Sequence, residues 1–292
     1  MTNRGGRSME REAVMDYYIS NGKIESTGNM DIFDQISKAA VYEVIKIIDG
    51  IPLYFNEHLN RMKNSLKGLG KELDKSEEEI LKEIIKLVEL NKEDFINVKL
   101  VYDFTETREN FLTYFLASEY PQSEKYKNGV HTITFSGERK DPNIKTISGS
   151  FRGRVGKARE DNNAFEALLI DEKAYITEGS RSNIFFIKEG QIITPPGGQV
   201  LLGVTRNYVI KICDKLNIKV REELISTKEL KELEGAFITG TTVDVLPISS
   251  IDNVKLPTIN NRIMKKIIKS YNIKMEENIS ELREFLKDRG II

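Results

Sequence analysis

The sequence has little of the two residue types that most often mark a disulfide scaffold or a metal site. A single cysteine, Cys213, stands among 292 residues, so no disulfide can form within the chain. The only two histidines, His58 and His131, are far apart in sequence and lack the neighbours that a metal site or a catalytic triad needs. We therefore expect no metal site, and we expect both histidines to be structural.

Neither sign of charge is in excess, and no long apolar run is present. The chain has 44 Lys and Arg against 45 Asp and Glu, interleaved along its length, so it lacks the field that holds a polyanion or an anionic membrane. No apolar run approaches the roughly 20 residues of a spanning helix, and the polar start has no signal-peptide core. We expect a cytoplasmic protein that binds neither nucleic acid nor membranes.

The strand signals of the first half are clear. Alternating apolar residues over 41–48, the turn pair Asp49-Gly50 and a return over 51–55 predict a β-hairpin. A shorter strand is predicted over 17–19, where Asn21-Gly22 ends it.

Two amphipathic helices follow the hairpin. Asn56 is the predicted cap of the first helix, and Gly70 stands where a left-handed residue would end it. Ser76 and Glu79 form a capping-box pair ahead of the second helix. Two further strands, predicted over 97–102 and 110–117, complete an α+β first half.

The segment 118–129 is polar and without a period, so it is interpreted as a linker between two domains, residues 1–120 and 121–292. The second domain consists mostly of short strands, predicted over 131–135, 165–170, 174–177, 183–187, 191–194, 219–222 and 235–239. Its helices are predicted over 205–216, 226–232 and 261–271.

Three segments of the second half combine glycine with small polar residues, a composition that is typical of ligand-binding loops between buried strands. They are residues 176–185, 202–206 and 238–242. At Gly203 the chain turns into a helix, whose free N–H groups and positive end favour an anion. The hydroxyl groups of Thr241 and Thr242 and the guanidinium of Arg61 are further candidates. This pattern indicates a phosphate site without the P-loop signature.

The order of these motifs resembles that of class IV aminotransferases from about residue 42 to residue 251. The motifs are Tyr42-Glu43-Val44 before the hairpin turn, Glu57-His58-Leu59-Asn60-Arg61, a lysine after Asp141-Pro142, Glu178-Gly179-Ser180-Arg181-Ser182-Asn183, Gly203-Val204-Thr205-Arg206 and Thr239-Gly240-Thr241-Thr242. The resemblance implies pyridoxal-phosphate (PLP) fold type IV, with an N-terminal α/β sandwich, a C-terminal pseudo-barrel and a homodimer. It also implies an amino acid, branched-chain or D-, and a 2-oxo acid as substrates.

The resemblance carries roles onto matching residues. It implies that Lys145 forms a Schiff base with PLP and transfers the substrate proton, and that Glu178 lies against the pyridine nitrogen. It also implies that Tyr42 hydrogen-bonds near the phenolic oxygen of the cofactor or the substrate carboxylate. The predicted phosphate ligands are Arg61, the amides of Val204 and Thr205, and Thr241.

Each assignment has a structural alternative. Tyr42 is equally well a packing residue on its strand, Arg61 an exposed partner of Glu57, and Lys145 a loop lysine with Lys157 as the substitute. A lyase similar to aminodeoxychorismate lyase uses the same cofactor. A non-catalytic relative is the third hypothesis, because Lys38-Ala39-Ala40 replaces the family's Gly-Asp-Gly. No Arg-x-His carboxylate trap is recognisable over 102–110, where Arg108 is the one substitute considered.

Overall fold

The computed structural model describes residues 11–37, 39–105, 108–137 and 149–292, with backbone alone for residues 149–152. Lys145, the predicted cofactor lysine, lies outside the described residues, as does Lys38. The described chain forms two compact units: residues 11–119 with Met275–Ile292, and residues 120–137 with Gly149–Lys274. The division into domains at residue 120 stays a prediction.

The first unit contains a six-stranded antiparallel sheet. Its strands are β1 (Ala13–Ser20), β2 (Lys23–Ser26), β3 (Val41–Ile48), β4 (Ile51–Pro52), β5 (Asn97–Phe104) and β6 (Glu109–Leu116), in the order β2-β1-β6-β5-β3-β4. The predicted hairpin at Asp49-Gly50 is confirmed, since both residues have positive φ between β3 and β4. The predicted turn at Asn21-Gly22 also has positive φ, and it joins β1 to β2, a strand that the sequence analysis does not predict. Strand β3 of this sheet carries Tyr42 and Glu43, two residues of the family motifs.

Two helices pack on this sheet: α1 (Phe55–Gly68) on β3, and α2 (Glu77–Asn91) on β1 and β6. The prediction that Asn56 caps α1 is wrong. The helix starts two residues earlier than a cap at Asn56 implies. Its N-cap is Tyr54, which takes the left-handed conformation, φ 54°, and donates its N–H to Asn278 Oδ1 at 2.8 Å. The other two signals are confirmed, since Gly70 has φ 69° just beyond α1 and Ser76 and Glu79 form the capping box of α2.

The second unit contains a ten-stranded mixed sheet. Its strands are β7 (Val130–Ser136), β8 (Glu166–Ile170), β9 (Tyr175–Gly179), β10 (Asn183–Lys188), β11 (Gln191–Thr194), β12 (Val220–Glu222), β13 (Ile225–Ser226), β14 (Gly235–Gly240), β15 (Asp244–Ile251) and β16 (Val254–Lys255). Their order is β12-β11-β10-β14-β15-β7-β8-β9-β13, and β16 pairs with β15. Most neighbouring strands are antiparallel, whereas β7 runs parallel to both β15 and β8, and β11 runs parallel to β12.

Four further α-helices complete the described chain, together with 3-10 helices over Asp31–Gln35, Thr227–Glu232 and Thr258–Asn260. The α-helices are α3 (Ser123–Asn128), α4 (Gly149–Asp161), α5 (Val204–Lys215) and α6 (Arg262–Asp288). Helix α3 forms within residues 118–129, the predicted linker, and packs against β15. The predicted helix over 261–271 is too short, since buried Ile279 and Leu286 continue the apolar stripe of α6 among charged residues. In the described ranges, no helix is both long and apolar enough to cross a membrane.

One hydrophobic core of the second unit lies on one face of its sheet. Strands β10, β14 and β15 contribute Ile184, Phe186, Ala236, Ile238 and Leu246 to it. Alternate residues of the same strands, including Asn183 and Thr239, point to the opposite face, because side chains alternate along a strand. Polar residues of the motifs can therefore be placed on a buried sheet without entering that core.

Candidate functional site

A buried carboxylate and a buried amide meet the same loop residue in the second unit. Glu178, on β9, is 3 % exposed, and its Oε2 accepts a hydrogen bond from the Leu201 N–H at 3.3 Å. Asn183, at the start of β10, donates from Nδ2 to the Leu201 carbonyl at 2.7 Å. Both the N–H and the carbonyl of Leu201 are therefore hydrogen-bonded, which holds the segment that leads into α5 in place.

The start of α5 has the features of an anion site. Gly203 precedes the helix, no side chain caps it, and the Val204 and Thr205 N–H groups lie in the first turn, where a helix offers no internal acceptor. A Cβ on Gly203 would lie 2.1 Å from Asn183 Oδ1, so only glycine fits against that amide. Val204 and Thr205 are themselves buried. This end of the helix can hold a phosphate through backbone donors.

The end of β14 carries one hydroxyl that is buried and has no partner in the described structure. This group is Oγ1 of Thr239, a residue that is 1 % exposed and that pairs with Asn183 across β10 and β14. Thr241 follows two residues later and is partly exposed. A buried hydroxyl without an acceptor is uncommon in a folded protein and is consistent with a ligand that completes it.

A second buried carboxylate supports the loop between β9 and β10. Glu166, at the start of β8 and 2 % exposed, accepts hydrogen bonds from the hydroxyl groups of Ser180 and Ser182. The sequence analysis missed it. The available signal was a glutamate that opens the otherwise apolar strand Glu166–Ile170.

In the first unit, a carboxylate on β3 pairs with two side chains of α1. Arg61 donates to Glu43 from Nε at 2.8 Å and from Nη2 at 2.6 Å, and His58 Nδ1 lies 2.9 Å from Glu43 Oε2. Burial works against the charge of Arg61, but the charge and hydrogen bonds of Glu43 outweigh it, so the pKa of the guanidinium is raised. Arg61 is thus an ordered, fully charged group whose side chain is 12 % exposed.

Tyr42 precedes Glu43 and therefore points to the other face of β3. It is 8 % exposed and packs in a cluster with Phe33, Val101 and Tyr114. Lys99 Nζ lies 4.7 Å from the centre of the Tyr42 ring, a cation–π distance. The structure therefore gives Tyr42 a packing role in the first unit, and its predicted cofactor or substrate contact stays a prediction.

Three other residues considered from sequence have structural partners or are buried. His131 Nδ1 lies 2.8 Å from Ser250 Oγ, and Arg108 donates to Asp103 and to the Gln35 backbone and side chain. Cys213 is fully buried, and burial raises the pKa of its thiol to about 12.

Comparison with known sequences decides the family. The sequence profile of amino-transferase class IV matches residues 40–251, which is most of the chain. The chain belongs to the class IV aminotransferase family. Similar relatives include a probable branched-chain-amino-acid aminotransferase of Aquifex aeolicus, 30% identical over 85% of this chain and 88% of its own. Another is the D-alanine aminotransferase of Bacillus licheniformis, 29% identical over 73% of this chain and 78% of its own.

Solved structures show the same fold for this class IV aminotransferase. The Escherichia coli branched-chain amino acid aminotransferase superposes with a TM-score of 0.80 at 21% identity, covering 90% of this chain and 95% of its own. The branched-chain aminotransferase of the thermophilic archaeon Thermoproteus uzoniensis, with norvaline, gives 0.79 at 20% identity over 94% and 98%. The predicted α+β architecture of fold type IV is confirmed.

Proposed function

We propose that this class IV aminotransferase uses PLP, held covalently by Lys145, to move an amino group between an amino acid and a 2-oxo acid. The amino acid is of the branched-chain or D- type, following the relatives to which the chain is similar. One observation carries the proposal: buried Glu178 and the uncapped start of α5 are joined through Leu201 and Asn183.

The residues of the second unit fit the two ends of PLP. The phosphate would be held by the Val204 and Thr205 N–H groups, while Gly203 leaves room for the turn beside Asn183. Thr239 has a buried hydroxyl without a partner in the described structure, which suits a ligand that brings oxygen acceptors. Thr241 and Arg61 remain proposed phosphate ligands on the resemblance alone.

Bound PLP supplies the electron sink that acidifies the Cα–H of an amino acid. The residues of the chain control the protons around that sink. Glu178, buried and acidic, would keep the pyridine nitrogen protonated. The Lys145 amine would carry the proton to and from Cα, and a neighbouring cationic ring would favour its neutral form.

The first experiment adds PLP to the purified protein, reduces it with borohydride and maps the modified peptide. We expect visible absorption, and a label on Lys145 that the variant Lys145→Ala loses. Lys157→Ala is the matched control, since Lys157 is an exposed lysine of α4 and should leave the label in place. A colourless protein, or a label that depends on Lys157, would refute the assignment.

A second experiment tests the reaction itself. The proposed aminotransferase should consume its amino acid only when a 2-oxo acid is present, and the two substrates should show ping-pong kinetics. Release of product without a 2-oxo acid would favour a lyase. A coloured protein that turns over neither would favour a binding module.

We further propose a homodimer, which the resemblance implies and which is the commonest closed arrangement of soluble oligomers. Light scattering after size-exclusion chromatography at several protein concentrations should give twice the chain mass of 33.4 kDa. A mass that stays at one chain would exclude it.

A further inference from the structure

We propose that Glu166 is a positioning residue that fixes the β9–β10 loop and thereby sets Glu178 and Asn183 for cofactor binding. The inference rests on the proposed function of Glu178. It concerns described residues of the second unit alone.

The Glu166 carboxylate accepts four hydrogen bonds, one from the next residue in the chain and three from the β9–β10 loop. Oε1 accepts from the Ala167 N–H at 2.9 Å and from Ser180 Oγ at 2.6 Å. Oε2 accepts from the Arg181 N–H at 3.3 Å and from Ser182 Oγ at 2.9 Å. Three of these donors belong to the loop that immediately follows β9, so one buried side chain fixes three consecutive loop residues.

The backbone of the loop is held in the same place by close packing. Gly179 donates its N–H to the Ser182 carbonyl at 2.8 Å, and Ser180 donates to the Ala167 carbonyl at 2.9 Å. A Cβ on Gly179 would lie 2.1 Å from Ser182 Oγ and 3.2 Å from Glu166 Cγ. The loop thus closes directly over the Glu166 side chain, and a change there must shift the loop backbone.

The contacts continue from the loop to the predicted anion site. Glu178 lies two residues before the loop, which comprises residues 180–182, and Asn183 directly follows it; both side chains hydrogen-bond to the Leu201 backbone. Asn183 Oδ1 in turn packs against Gly203 at the start of α5. A displaced loop would therefore move the carboxylate meant for the pyridine nitrogen and the turn meant for the phosphate together.

The variant Glu166→Gln separates this role from simple space filling. Glutamine has nearly the same shape, but its amide nitrogen only donates, so one of its two ends can no longer accept. In either orientation the N–H of Ala167 or of Arg181 then faces another donor. The matched control is Asp252→Asn, because Asp252 also accepts from one backbone N–H and one hydroxyl, both of Thr134, at 2.8 and 2.9 Å.

Three readouts test the proposal on full-length protein. In cofactor-free E166Q, hydrogen exchange should rise about tenfold in peptides covering residues 178–183, because a loop that loses an anchor opens locally. The PLP affinity, from absorbance titration, should fall about tenfold, the change that about 1.4 kcal/mol produces. The pH dependence of the absorption of bound PLP should also shift, since Glu178 would no longer hold the ring nitrogen in register.

The double variant Ser180→Ala with Ser182→Ala removes the hydroxyl donors and leaves the carboxylate, so it should reproduce part of each change if E166Q does not fold. Equal exchange, affinity and absorption in E166Q and D252N would overturn the proposal. So would a fall in melting temperature with even exchange across the unit and unchanged PLP affinity. If the wild-type protein binds no PLP, the proposed function fails, while exchange at residues 178–183 still decides whether Glu166 holds the loop.

Discussion

Two buried carboxylates, one in each unit, are held by opposite kinds of partner. Glu43, fully buried in the first unit, pairs with the guanidinium of Arg61 and lies 2.9 Å from the ring of His58. Glu166, 2 % exposed in the second unit, accepts from backbone N–H groups and the hydroxyls of Ser180 and Ser182. A carboxylate paired with a cation balances buried charge, whereas one held by neutral donors fixes local geometry.

The difference predicts where damage will appear. Removing a charge from a buried ion pair leaves the partner ion uncompensated, which costs folding free energy. Removing a carboxylate from neutral donors leaves unsatisfied dipoles, a smaller cost that falls on the loop concerned. We therefore expect variants of the first site to lower stability, and variants of the second to lower cofactor affinity more than stability.

The largest expected effect is that of Glu43→Gln. It leaves the buried Arg61 guanidinium without its bidentate carboxylate, so the free energy of unfolding should fall by about 3–5 kcal/mol. Urea denaturation followed by circular dichroism measures it. The matched control is Glu78→Gln on α2, whose exposed carboxylate pairs with Lys82 at i,i+4 and with Arg289 at 3.7 Å and should contribute little, because solvent screens both contacts. A loss for E43Q as small as that of the control would remove the contrast between the two sites.

The sequence predicts the elements of the fold well where local chemistry decides them. Turn residues that tolerate positive φ place the hairpin at Asp49-Gly50 and the end of β1 at Asn21-Gly22, and the Ser76–Glu79 capping box places α2. It fails where long-range contacts decide. Tyr54 is the N-cap of α1 and donates its N–H to Asn278, more than two hundred residues away, a partner that no local signal contains.

The site divides in the same way. Glu178 and Gly203 belong to motifs that can be read from the chain. For Glu166 the sequence offers only a glutamate at the start of an apolar strand. Its partners cannot be predicted from that signal, because they depend on the pairing of β8 with β9, which sets Glu166 under the loop that follows β9. Similarly, the pairing of Arg61 with Glu43 requires α1 to pack on β3. The apolar spacing predicts that α1 packs on the sheet, but it does not predict the orientation of the helix there.

The next effect is expected from Gly203→Ala, which tests whether the second unit depends on shape rather than charge. The added Cβ would meet Asn183 Oδ1 at 2.1 Å, so the turn must shift, at a cost of about 1–3 kcal/mol. The same shift moves the start of α5. PLP affinity should therefore fall by at least about tenfold even where urea denaturation shows that the variant is fully folded. Absorbance titration and urea denaturation of the same preparation measure both.

Gly198→Ala is the matched control for this variant, because no atom lies within 4 Å of a Cβ placed on the exposed Gly198 in the described structure. It should keep both stability and affinity. If G203A bound PLP as well as G198A does, the uncapped start of α5 would not be the phosphate site. Cofactor binding by the second unit would then not depend on the shape of this turn.

The smallest expected effect compares the two capping boxes, which have the same chemistry in the two units. Ser76 caps α2, a helix of 15 residues, whereas Ser226 caps a 3-10 helix of six residues over Thr227–Glu232. Ser76→Ala should cost about 1 kcal/mol, a usual value for a lost N-cap, and Ser226→Ala should cost less because fewer ordered residues depend on it. Urea denaturation of both variants measures the difference.

Since neither cap touches a buried carboxylate, neither variant should change PLP affinity. A change in affinity with S226A comparable to that of G203A would mean that PLP binding in the second unit follows its overall stability, and the proposed local role of its neutral contacts would be wrong.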